Sequence, residues 1–349
     1  MTRTLFLDVS VGERRGVVQL RGRPERLLIE RAREAGVSAA QRFGARVNAR
    51  LRRVDRALGM AFLDLGEGSD AVAPANAVAA FSEGAAVEVE ILAEARAGKG
   101  AHVRVHGAGE GDAPRLLGEA PSFEERLKLH APRASITRGP DARDAADEAE
   151  AEALAMEHAL PDGGSLAIER TRGLTAIDVD LGARGGSDAK RAARGANLAA
   201  IAETARLLRL KGLGGLAVID LAGRGHDGEA LSRVAREAFA ADQPGVSIGP
   251  ISRFGTMELL KPWRERPIAE RLCDPDGRLS PLTVALRLAR ALEREGRAGP
   301  GARLAARAAP EVATAFAALH AGLEERLGGR FTVSADPALD RARFEVGAA

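Results

Sequence analysis

Apolar residues fall into three kinds of run along this chain, and each kind predicts a different element. Strict alternation marks half-buried strands: Val47, Ala49 and Leu51 alternate with Asn48, Arg50 and Arg52, and Val87, Val89 and Ile91 alternate with Glu88 and Glu90. Two short continuous runs, Leu174-Thr175-Ala176-Ile177 and Leu216-Ala217-Val218-Ile219, predict strands buried on both faces. Helical spacing recurs at Leu198, Ile201, Ala202, Ala205 and Leu208, with Ser187 as the expected cap and Gly212 as the stop.

Placed in order, these runs divide the chain. Residues 1–35 open with strand-like runs at 4–9 and 16–20 around a turn at Gly12. Between 44 and 106, short strands separated by glycine turns predict a small all-β barrel. Residues 107–123 are rich in Gly and Pro and read as a linker. The acidic, alanine-rich stretch 142–157 predicts a helix whose carboxylates face solvent. A hairpin (165–168 and 174–180), two helices, and further strands at 214–220 and 246–251 follow. After about residue 278, two helices and two terminal strands predict a small α+β unit.

Each continuous apolar run ends in an aspartate, Asp178 and Asp220. Both segments share one layout: strand, Asp, Gly-rich turn, helix, Gly-Gly, strand, Asp. On neighbouring strands these carboxylates form an oxygen-rich pocket of the kind hard divalent cations prefer. Metal-assisted phosphoryl chemistry uses such pockets. Strand-end aspartates also serve as turn formers and helix N-caps, and the pattern alone leaves both readings open.

The 349 residues are enough for two or three domains, and 45% hydrophobic with 29% charged residues is a soluble globular composition. No run of 18 apolar residues predicts a membrane span, and residues 1–8 do not read as a signal peptide. One cysteine excludes an internal disulfide and fits a reducing cytoplasm, the expected location. A net charge of +2 hides a basic stretch carrying Arg42, Arg46, Arg50, Arg52, Arg53 and Arg56. It reads either as a solvated face or as a footprint for a phosphate backbone. Aromatics are 3% with no tyrosine, so a nucleic-acid surface here leans on arginine more than on stacked rings.

Read together, Leu174 to Asp178, Gly214 to Asp220 and Ile251-Ser252-Arg253-Phe254-Gly255 resemble the catalytic core of the ribonuclease E/G family. Leu160-Pro161-Asp162-Gly163-Gly164-Ser165 and Asn197-Leu198 add to the likeness. The resemblance implies a mixed α+β fold: an N-terminal β segment (1–35), an OB-fold RNA-binding barrel (36–106), a linker and acidic helix (107–160), a deoxyribonuclease I-like α/β catalytic core (161–268), a degenerate zinc-link segment (269–277) and a small α+β domain (278–349).

The same resemblance makes Asp178 and Asp220 ligands of a catalytic Mg²⁺ that activates water against a phosphodiester. Asp180 stands where the family has asparagine; it shares a strand face with Asp178 and is a candidate third ligand. Arg253 is a candidate phosphate-facing cation, and Phe62, Lys99, Arg50 and Arg52 are candidate RNA contacts. The position matching the family's second stacking aromatic is Val72. Cys273-Asp274-Pro275-Asp276 stands where the family has Cys-Pro-x-Cys, so zinc is not expected. The interval 107–160 is too short for the 5′-end sensor of the family's long forms. The expected partner is single-stranded RNA, with no membrane and with a homo-oligomer allowed. The function read from these residues is a Mg²⁺-dependent endoribonuclease; the alternative is a non-catalytic RNA-binding protein on the same fold.

Overall fold

The structure is a computed structural model that describes residues 2–32, 38–96, 98–161, 163–182, 189–242 and 245–349. The chain opens with an antiparallel meander of β1 (Arg3–Ser10), β2 (Glu13–Leu20) and β3 (Arg23–Arg31). A barrel follows, built from β4 (Arg46–Asp55), β5 (Met60–Asp64), β6 (Ala71–Pro74), β7 (Ala86–Ala93) and β8 (His102–Ala108), with β9 (Arg115–Gly118) paired on the outside of β4. Pairing of β5 with both β4 and β6 closes the ring into an OB-like five-stranded barrel. The alternation seen in the sequence is its cause: Val47, Ala49, Leu51, Val87, Val89 and Ile91 all point inward and are fully buried.

The stretch read as a linker is folded. After β9 come α1 (Phe123–Lys128), β10 (Ile136–Thr137), which pairs in parallel with β1, and α2 (Pro140–Leu154). One of its glycines, Gly109, serves close packing. A Cβ on Gly109 would lie 2.0 Å from Asn48 Oδ1, the atom that accepts the Glu110 amide proton at 3.0 Å. The acidic helix α2 faces solvent only in part. It packs on the β1–β3 meander. Three of its carboxylates are ion-paired: Asp147 with Arg15 and Arg294, Glu150 with Arg15, Arg287 and Arg290, and Glu152 with Arg206, whereas Asp144 and Glu148 are exposed as expected.

Next come β11 (Glu157–Ala159), β12 (Ser165–Arg170), β13 (Thr175–Asp180), α3 (Ala189–Leu210), β14 (Gly215–Asp220), α4 (Gly228–Phe239), β15 (Ser247–Ile251) and β16 (Thr256–Lys261). The strands form one sheet in the order β11-β12-β13-β14-β16-β15. Ile177, Val179, Ala217 and Ile219 pack beneath α3 and α4, against Ala200, Ile201, Leu231 and Phe239.

The continuous apolar runs are therefore not buried on both faces. Ala176, Asp178 and Asp180 are exposed along β13, and Leu216 and Asp220 along β14. Small or apolar residues at the outward positions imitate a doubly buried strand in sequence. The expected cap Ser187 lies outside the described residues.

The chain continues through α5 (Ile268–Leu272) and α6 (Pro281–Ala298) to β17 (Leu304–Ala308), α7 (Pro310–Phe316), α8 (His320–Leu327), β18 (Phe331–Ala335) and β19 (Phe344–Ala348). The last strands form a three-stranded sheet under α6 and α7 with its own apolar core. Among the described residues no helix is long and apolar enough to cross a membrane.

Candidate active site

Strands β13 and β14 run parallel with Asp178 and Asp220 as direct register partners. Neighbouring strands lie about 4.8 Å apart, so two like charges stand side by side on the open face of the sheet. Among the described residues neither carboxylate has a hydrogen bond or ion pair, which leaves both free to bind a cation. Asp180 lies on the same exposed face, opposite Ser165 of β12. Its Oδ1 accepts the Gly182 amide proton at 2.8 Å, so part of its acceptor capacity holds the turn that follows β13. Among the described residues no three His, Cys, Asp or Glu side chains are grouped as a cation site.

The turn between β15 and β16 sits at the same strand end as Asp220. Thr256 is the register partner of Asp220, and the Leu221 amide donates to the Gly255 carbonyl at 3.1 Å. Ser252 ties the turn: its Oγ accepts the amides of Phe254 and Thr256, each at 3.2 Å. Arg253 is exposed at the tip, with its guanidinium 4.6 Å from the Phe254 ring, which is itself 75% exposed. Gly255 has φ +89°, and a Cβ there would stand 3.0 Å from His226 Nε2, so this position excludes side chains on two grounds.

Two residues without an assigned role in the sequence prove structural for the site. Asn197 of α3 donates to the Ala222 carbonyl at 3.0 Å and accepts the Ala222 amide at 2.9 Å. It pins the backbone two residues beyond Asp220. Asn197→Ala strands both backbone groups, at a cost of about 1–3 kcal/mol each when unpaired. We expect a lower melting temperature together with a fall in whatever activity needs Asp220. An unchanged melting temperature would show that solvent replaces the amide. Asp227 caps α4 by accepting the Ala230 amide at 3.1 Å and pairs with Arg194 at 2.9 Å.

On the barrel, Phe62 lies on the outer side of β5, half-buried and outside the barrel core. Its cross-strand partner is Val72, and the Arg53 guanidinium covers it at 4.6 Å. Val72 in turn pairs with His102 on β8. Lys99 is exposed in the turn before β8. The basic stretch is largely matched by carboxylates: Arg52 with Asp64 and Asp70, Arg50 with Asp112 at 3.7 Å, Arg46 with Glu88, and Arg42 with Glu30. The barrel residues and the aspartate pair therefore sit on different sheets. In the 273–276 segment, Asp274 accepts the amides of Asp276 and Arg278 and pairs with Arg341 at 2.7 Å. That carboxylate holds a turn, and burial together with Asp274 raises the pKa of the Cys273 thiol.

The model of the ribonuclease E/G family matches residues 117–264, the stretch that holds Asp178, Asn197, Asp220 and Arg253. Over residues 117–264 this chain is therefore similar to the ribonuclease E/G family. Ribonuclease E of Haemophilus influenzae is 43% identical over 112 residues, which is 31% of this chain and 12% of that protein. Ribonuclease E of Escherichia coli is 42% identical over 110 residues, 31% of this chain and 10% of that protein. The chloroplastic ribonuclease E/G-like protein of Arabidopsis thaliana is 34% identical over 114 residues, 31% of this chain and 11% of that protein. The matched region thus spans only about a tenth of the length of these relatives.

Proposed function

We propose that this chain is a Mg²⁺-dependent endoribonuclease that cleaves single-stranded RNA at the open face of the β11–β16 sheet. The observation that carries the reading is the in-register pair Asp178 and Asp220, without a partner among the described residues, inside the stretch that matches the ribonuclease E/G family. A sheet with helices on one face and strand-end carboxylates supports a core of the deoxyribonuclease I kind. The donor set fits magnesium: hard carboxylate oxygens on adjacent strands, with no neutralising partner among the described residues. Bound there, magnesium supplies charge stabilisation at a phosphodiester oxygen and a nucleophile at neutral pH.

The chain's own residues do the rest. Asn197 and the Ser252 turn fix the Asp220 strand end. Arg253 offers a guanidinium to a non-bridging phosphate oxygen, and Phe254 offers a ring face to a base. The barrel would hold the strand at a distance through Phe62 and Lys99, with Arg50 and Arg52 exchanging their weak carboxylate contacts for phosphates.

The direct test is purified protein with single-stranded RNA, with and without Mg²⁺, beside the Asp178→Asn variant. RNA retained but never cut in Mg²⁺ would leave only the reading of a non-catalytic RNA-binding protein. A separate measurement addresses the barrel. Phe62→Ala should weaken RNA binding by about 1–3 kcal/mol, the size of one base-aromatic stack, with little loss of stability because the ring lies outside the core. Equal losses of binding and stability would mean that the ring serves packing.

A further inference from the structure

An open groove of about 1000 Å³ runs between α4, the loop that leads into it and the turn joining β15 to β16. It begins at the strand end that carries the aspartate pair. Ile251 ends β15 beside this turn, and Thr256, which opens β16, is the register partner of Asp220. From there α4 forms one wall. Glu229, Ser232 and Arg236 line the groove at spacings of three and four residues, which is one face of the helix. Seven residues at about 1.5 Å each carry this wall roughly 10 Å away from the strand end.

Three guanidinium groups line the groove, and the protein leaves them without a counter-charge. Arg224 stands in the loop before α4, Arg236 in the last turn of α4 and Arg253 at the tip of the turn. Among the described residues the Arg224 and Arg236 side chains have no hydrogen bond or ion pair, and that of Arg253 has only its contact with the Phe254 ring. The barrel treats its arginines differently: Arg42, Arg46, Arg50 and Arg52 each face a carboxylate. Among the described residues that line the groove, Glu229 is the one acid, and its place in the first turn of α4 sets its charge against the helix dipole. Asp227 nearby is occupied, capping α4 and pairing with Arg194. Glu258 is exposed on the open face of the sheet, opposite the helices.

The walls also decide what kind of chain fits. β15 is the edge strand of its sheet, and a bulge between Ile248 and Ile251, together with Pro250, which has no amide proton, interrupts that edge. An incoming peptide strand finds no continuous ladder there. Apart from Pro250, Ile251 and Phe254 the lining is glycine, polar or charged, which gives an amphipathic helix little apolar surface to cover. Unopposed arginines spread along an open groove, with one exposed ring at its mouth, match an unpaired nucleic-acid strand.

We propose that the substrate strand continues from the aspartate pair into this groove, with backbone phosphates on Arg253, Arg224 and Arg236 and one base against Phe254. The inference rests on the ribonuclease reading for the identity of the strand. It adds a second stretch of contact, on the side of the cut that lies toward α4. Contacts to phosphates add affinity without reading sequence, so this stretch holds any single strand long enough to reach Arg236.

The test is fluorescence anisotropy of the full chain in the Asp178→Asn background, without Mg²⁺, with a 5′-hydroxyl uridine dodecamer over a range of salt. Arg224→Gln and Arg236→Gln should each weaken binding by about threefold or more and reduce the slope of log affinity against log salt by about 0.7, the value for one phosphate contact on a single strand. Arg236→Lys should keep the slope, because the charge stays. Arg303→Gln, at an exposed arginine of the small α+β unit, should change neither quantity. Melting temperatures should stay at the parent's, since the two groove arginines hold no partner in the fold. Unchanged affinity and slope in both Arg224→Gln and Arg236→Gln, or an equal loss in Arg303→Gln, would overturn the proposal. So would displacement of the dodecamer by polyglutamate at matched charge, which would make the groove a site for acidic peptides. Cleavage of the dodecamer by the parent in Mg²⁺, with both variants binding as the parent does, would sink the groove alone. Arginine-dependent binding by a parent that never cuts would sink the ribonuclease reading alone.

Discussion

Asp178→Asn or Asp220→Asn is expected to slow RNA cleavage by about 10³-fold or more, roughly 4 kcal/mol of transition-state stabilisation, while leaving the fold intact. The two carboxylates are register partners on parallel strands and, among the described residues, have no partner inside the protein. Like charges directly opposite on a sheet oppose folding by a few tenths to about 1 kcal/mol. Either substitution should therefore raise the melting temperature slightly in the absence of divalent cations. In Mg²⁺ the order should reverse, because only the parent protein gains stability by binding the ion. Thermal melts with and without Mg²⁺, run beside a cleavage assay, check both halves. A variant that loses cleavage but is stabilised by Mg²⁺ as much as the parent would place the cation elsewhere.

How much of this was legible in the sequence depends on the range of the interaction. The barrel strands were legible because Val47 to Leu51 and Val87 to Ile91 alternate cleanly, and alternation is a local consequence of the pleat. The aspartate pair was legible because both strands end at the same point of the same layout. The openness of their sheet was not. Ala176, Val218 and Leu216 occupy outward positions and read like the buried residues between them. The terminal strand β17 was missed because Leu304 to Ala308 is mostly alanine and arginine, without β-branched residues. Three carboxylates of the acidic helix, Asp147, Glu150 and Glu152, were misread because the arginines that match them lie far off in the chain, 132 residues away for Asp147 and Arg15. The structural role of Asn197 likewise depends on Ala222, 25 residues on, which no local pattern reports.

That buried network makes Arg15→Met the substitution expected to cost the most stability. Arg15 on β2 is wholly buried. It donates to Asp8 at 2.6 Å, Asp147 at 2.7 Å and Glu150 at 3.0 Å. Glu150 also accepts from Arg287, and Glu13 pairs with Arg31 and Arg290. The network thereby ties the N-terminal meander and α2 to α6. Removing one partner from a buried ion network leaves the others uncompensated, so we expect a loss of roughly 3–5 kcal/mol in urea unfolding at pH 7.

The pH dependence follows from Glu150. Burial alone would raise its pKa, but Arg290, Arg15 and Arg287 together hold it below the usual carboxylate value. A depressed folded-state pKa gives stability that is present above the unfolded value, about 4.3, and is lost as pH falls through the folded one. The parent protein should therefore weaken steeply below about pH 4, and Glu150→Gln should flatten that slope while costing stability at pH 7. A loss below 1 kcal/mol in Arg15→Met would mean that water reaches the network and screens it. The same small loss would separate the meander and α2 from the forces that hold α6 in place.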